Sequence, residues 1–120
     1  MNRLQYFLHA KTQFNLHSPF VYRLYTEVLF SRAKGTPHGR FAEVVWRLER
    51  HYNIASEHLD DTAVLDTSDG RFLVVNRPHR DEQRWQSIIA DPQWQVTIDL
   101  FSVGLAVENP RLHKQHFILR

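Results

Sequence analysis

An aspartate closes the apolar run in VTIDLF, residues 96–101, and a polar cluster closes another in FLVVNRPHR, residues 72–80. In open α/β sheets ligands bind at strand ends. Asp99 there has two roles open to it. It can line a pocket as a titratable group, or accept a hydrogen bond from the following loop backbone, and the second is favoured. Asn76 and His79 close the other run, and with Asp99 they make up a candidate residual pocket. No residue is assigned a catalytic role.

Other residues of reactive type have plainer readings. Eight histidines suggest metal binding, but His113 and His116 fall on a loop and a strand with no third histidine or carboxylate at ligand spacing, so no metal is expected. His17, just before Ser18, reads as a contact at a helix entrance rather than a base. The absence of cysteine removes disulfides, thiolate nucleophiles and cysteine-bound zinc. DTSDG, residues 66–70, has the composition of a hairpin turn and not of a nucleotide loop.

The elements that must hold these residues follow from periodicity. Leu4, Phe7 and Leu8 recur at helical spacing and predict a first short helix. A second is predicted in HSPFVYRLYTEVLF, with Ser18 as N-cap, Pro19 at the first position, and a stripe of Val21, Leu24, Tyr25, Val28 and Leu29. Gly and Pro cluster in a loop over residues 31–39. FAEVVWRLERHY predicts a third helix with Phe41, Val44, Val45, Leu48 and Tyr52 on one face.

The period then changes. Residues 62–76 predict a hairpin turning at Gly70, and residues 80–91 a helix beginning near Asp81, with Trp85, Ile88 and Ile89 on one side and Pro92 beyond its end. Two strands broken near Ser102 to Gly104 and a last one in QHFILR complete the chain. Phe7, Phe14, Phe20, Tyr22, Tyr25, Phe30, Trp46 and Tyr52 are read as core aromatics. The expected fold is a single α/β (α+β) domain over residues 1–120. Helices in 1–30 and a loop at 31–39 lead to a core at 40–120, with four or five mainly antiparallel strands and one packed helix.

Composition narrows the function classes. Fifteen Lys and Arg against thirteen Asp and Glu give a net charge of +2, scattered along the chain, so no nucleic-acid face is expected. No stretch has the apolar run of a membrane span or signal peptide, and a cytoplasmic protein without membrane partners is expected.

HSPFVYRLYTEVLF resembles the N-terminal signature of a group of class I S-adenosylmethionine-dependent methyltransferases about twice this length. RWQSIIADPQWQVTIDLFSVGLAVENPRLHKQHFILR is similar to that group's C-terminus. There a Trp-bearing helix leads to Ile-Asp-Leu-Phe, then Gly-Leu, then a His-Phe-x-x-Arg ending, matched here by Trp85, Ile98 to Phe101, Gly104 and Leu105, and His116, Phe117 and Arg120. FAEVVWRLERHY resembles the helix before the cofactor strand. The resemblance implies a truncated Rossmann-like sheet, but two of its marks are missing. Glycines stand only at 35, 39, 70 and 104, none between an apolar strand and a helix, so the Gly-rich cofactor turn is not recognised. Asn76 and Arg77 replace paired acids, and only His79 fits the family there; a fixed guanidinium charge repels a divalent cation.

The expectation is therefore a methyltransferase-like domain without a cofactor that acts by self-association, as a homodimer, or through an unidentified protein partner. Loss of half of a doubly wound sheet leaves an unpaired edge and uncovered apolar surface, which association hides. Pairing through the edge strand or exchange of the N-terminal helices through the 31–39 loop would both serve. The alternative is a minimal methyltransferase binding S-adenosylmethionine in a site shared between chains. A small-ligand module using Asn76, His79 and Asp99 is a third reading.

Overall fold

A computed structural model of the chain describes residues 19–30 and 35–119. The predicted first helix, His17, Ser18 and Arg120 lie outside the described residues. Two compact units divide at residue 34, Met1–Lys34 and Gly35–Arg120.

In the first unit α1 (Pro19–Arg23) starts at the predicted proline and runs on as a wider π-helical turn, Leu24–Leu29. The predicted stripe of Val21, Leu24, Tyr25, Val28 and Leu29 is buried. Phe30 ends the turn: its N–H donates to the Tyr25 carbonyl and its ring stacks on that of Tyr25 at 4.3 Å. Phe30 and Tyr22 are exposed, which corrects their reading as core aromatics; Tyr22 lies off the stripe and Phe30 sits past the helix end.

The second unit opens with Gly35 and Gly39, both at positive φ, and then α2 (Arg40–Tyr52). α2 buries Val44, Val45 and Leu48 and ends at Asn53 in the left-handed region. The Glu49 carboxylate then receives both the N–H and the hydroxyl of Ser56, at 2.8 Å each, drawing the chain back along the helix.

Among the described residues the sheet has six strands, β1 (Glu57–Leu59), β2 (Thr62–Thr67), β3 (Gly70–Asn76), β4 (Val96–Asp99), β5 (Val103–Glu108) and β6 (Gln115–Ile118), in the order β1-β2-β3-β5-β4-β6. All neighbours are antiparallel except β4 and β6. The fold is α+β, as the periodicity predicts, with one strand more than expected. The extra strand is β1, whose three exposed residues carry no alternation and pair only because the chain reverses at Asp60, φ 53°. Gly70 turns the predicted hairpin at φ 121°, and a Cβ there would lie 2.3 Å from the Glu108 carbonyl oxygen, so only glycine fits.

Because side chains alternate, the register sorts the sheet into two faces. On one face Ala63, Val74, Leu105, Ile98 and Phe117 form a continuous buried row. α2 packs on this side, with Tyr52 edge-on to Phe72 at 5.4 Å and its hydroxyl donating to Asp69 at 2.7 Å. The opposite face carries α3 (Glu82–Ala90), whose fully buried Trp85 rests on Gly104. On that face one row runs Leu59, Thr62, Val75, Gly104, Asp99, Ile118, and the next runs Glu57, Val64, Leu73, Ala106, Thr97, His116. Burial is complete under Trp85 and thins toward β1: Val64 and Leu73 are half-buried and Leu59 is 72% exposed.

Candidate functional site

The chain leaves β3 at Asn76 and must turn sharply to reach α3. Arg77 takes a left-handed conformation, φ 48°, and donates its N–H to the Ser102 carbonyl at 2.9 Å. Buried Pro78 then opens a 3₁₀ turn, Pro78–Arg80, and Asp81 caps α3 by accepting the Arg84 N–H at 3.0 Å. This stiff corner places the His79 ring over the carboxy end of β4.

A second tight turn meets it there. After Asp99, the Ser102 N–H donates to the Leu100 carbonyl at 2.9 Å, a three-residue γ-turn with Phe101 at its centre, φ 70°. Positive φ on a bulky residue is strained. The Asp99 carboxylate holds the turn: Oδ1 accepts the Phe101 N–H at 2.8 Å, and Oδ2 lies 2.7 Å from Nε2 of His79. Asp99 is 2% exposed, so its charge needs both partners. Phe101 stays exposed, its ring stacked on the His79 imidazole at 5.8 Å.

His79 is bound on its other side as well, with Nδ1 paired to Oε1 of Glu82 in the first turn of α3. An ionised carboxylate only accepts, so contacts from both ring nitrogens suit the protonated ring, which donates from each. The hydrogen bond to Glu82 first, and then that to Asp99, raise the His79 pKa against an opposing desolvation. The same contact lowers that of Glu82. In the protonated form the ring has no lone pair with which to accept a proton or ligate a metal. One ring links α3's first turn, the end of β4 and the β4–β5 turn.

Of the three residues read as a residual pocket, the fold joins His79 to Asp99 and sets Asn76 apart. Asn76 pairs with Val103 while Asp99 pairs with Gly104, so the register puts Asn76 on the α2 face and Asp99 on the α3 face. Its backbone N–H donates to the Asp61 carbonyl at 2.8 Å. Glu82 and Phe101 were not read as site residues. The three-residue spacing of His79 and Glu82 across a predicted helix start could have found the first, but nothing local marks the second.

His113 is exposed, and the Nδ1 of His116 lies 2.7 Å from the hydroxyl of fully buried Thr97. Among the described residues no three His, Asp or Glu gather as a metal site, and no described helix is long and apolar enough to cross a membrane. The connection from β3 to α3, residues 77–81, contains no glycine, and Gly104 lies inside β5 beneath Trp85.

No protein-family model matches the chain, and no curated protein or solved structure matches it either.

Proposed function

We propose that the chain is a methyltransferase-like domain that has lost catalysis and works by association, with a second copy as a homodimer or with another protein. The observation that carries this reading is the half-covered sheet. Leu59 is 72% exposed, and one row away on the same face Val64 and Leu73 are half-buried, at the side of the sheet where β1 is the terminal strand among the described residues. Apolar surface next to an open strand edge is the kind that association covers.

The ancestry has support in β3, α3 and β4. Both strands are antiparallel to β5, which lies between them, and hence parallel to one another, and a helix separates them in the chain, the order of elements in one unit of a doubly wound sheet. The loss of catalysis has support at their carboxy ends. Ligands of open α/β sheets lie there, yet both oxygens of Asp99 and both ring nitrogens of His79 are engaged within the chain.

Titration calorimetry with S-adenosylmethionine and with its demethylated product tests the catalytic half. No heat of binding is expected up to about 1 mM ligand, the weak end of specific affinity; micromolar binding overturns the reading and restores the minimal enzyme. Light scattering across a concentration series tests self-association. A mass that rises to the dimer supports it, and a constant monomer mass eliminates the homodimer and leaves another protein as the partner.

A further inference from the structure

The half of the α3 face that no described element of the second unit covers has a definite width and charge. Its floor is two rows, Leu59 and Thr62 in one and Glu57, Val64 and Leu73 in the next, on β1, β2 and β3. Along one side stands α3, where Arg84 and half-buried Ile88 are one turn apart and Arg84 reaches across to Asp61, at 2.9 and 3.1 Å. Three strands at roughly 4.8 Å spacing span about 10 Å, the diameter of one helix and the distance at which a second helix packs beside a first.

The foot of the strip is acidic. Arg71 forms an ion pair with Asp66 at 2.8 Å, Glu108 is its cross-strand partner, and Glu57 lies on the same face, so three carboxylates share this end of the face with one guanidinium. The register explains the grouping: Asp66, Arg71 and Glu108 share one row, and Glu57 stands in the next. Two copies packed face to face through this surface would bring together the same negative excess. A partner of opposite charge gains where a second copy loses.

We propose that this half-face is a docking site for an amphipathic helix of another protein, one with an apolar stripe to lie on Val64 and Leu73 and with lysines or arginines to meet Glu57, Asp66 and Glu108. The helix lies beside α3, completing the cover of the sheet. This inference rests on the association reading above and names its partner by chemistry.

The test uses the full chain and a fluorescently labelled synthetic helical peptide with a leucine stripe flanked by lysine and arginine, together with a twin in which every basic residue is glutamate. The basic peptide is expected to bind, to weaken about tenfold on raising the salt through the range where exposed charges are screened, and to shift the amide resonances of Leu59, Val64 and Leu73. Leu73→Glu and Leu59→Asp should each reduce its affinity about tenfold or more; the second changes an exposed residue, so folding is retained.

Absence of binding by the basic peptide, equal binding by the acidic twin, or unchanged affinity in Leu59→Asp overturns the proposal. A dimer that Leu59→Asp dissolves seats a second copy on the face and overturns it too. The cofactor titration is independent of these outcomes, because a cofactor at the carboxy ends of β3 and β4 leaves this strip untouched.

Discussion

Oδ2 of Asp99 lies 2.7 Å from Nε2 of His79, twenty residues away in the chain. This contact ties a strand end to the turn that feeds α3, and Asp99 is the buried charged side chain among the described residues, costly to leave unpaired. The tie sets the stability of the corner and its response to pH.

Asp99→Asn should destabilise the chain by about 1–3 kcal/mol, since the amide keeps the shape but not the charge that two donors require. Urea denaturation measures it. An unchanged midpoint would mean that the carboxylate contributes nothing to the corner.

His79 should make stability depend on pH in a definite direction. Its folded pKa is raised above the ordinary 6.5, so its contribution is complete below that value and is lost as pH rises through the folded pKa. Glu82 has a folded pKa below its ordinary 4.5, so its contribution is present above that value and disappears as pH falls through the folded one. The link is therefore fully formed between the two, in mildly acidic solution. The difference in unfolding free energy between the parent chain and His79→Gln should be largest there and shrink on both sides; a difference constant with pH contradicts the assignment.

Gly104→Ala should cost about 1–3 kcal/mol by overpacking. The added Cβ would lie 2.8 Å from the Trp85 ring, and the ring is fully buried between α3 and the sheet. A lower thermal midpoint, with part of the loss recovered in a Gly104→Ala, Trp85→Phe double variant, is the expected result.

Asp61→Asn should matter little despite two well-made hydrogen bonds to Arg84, by less than about 1 kcal/mol, because both side chains are more than a third exposed. Denaturation at low and high salt checks this, and a loss comparable to that of Asp99→Asn would place Asp61 in a far drier setting than its exposure allows.

Local chemistry by itself determined most elements of the second unit. The Phe41, Val44, Val45, Leu48 repeat made α2, Gly70 the hairpin turn and Asp81 the start of α3, while the break read near Ser102 to Gly104 falls earlier, at Leu100 to Ser102, with Val103 and Gly104 already in β5. Each depends on backbone preference or on which side chains face one way, and both are legible within a few residues. β1 was not legible, because three exposed residues form a strand only when β2 is there to pair with them.

The candidate site was half legible for the same reason. His79 and Asp99 stood out as polar groups at strand ends, but their contact required β5 to insert between β3 and β4 and bring the two carboxy ends together. Sequence grouped Asn76 with them by position; the tertiary register, offset by one residue, sent it to the opposite face. Strand order and register are long-range choices made by packing the whole sheet, so they decided what His79 touches, where Phe101 lies, and which half of the sheet is left open.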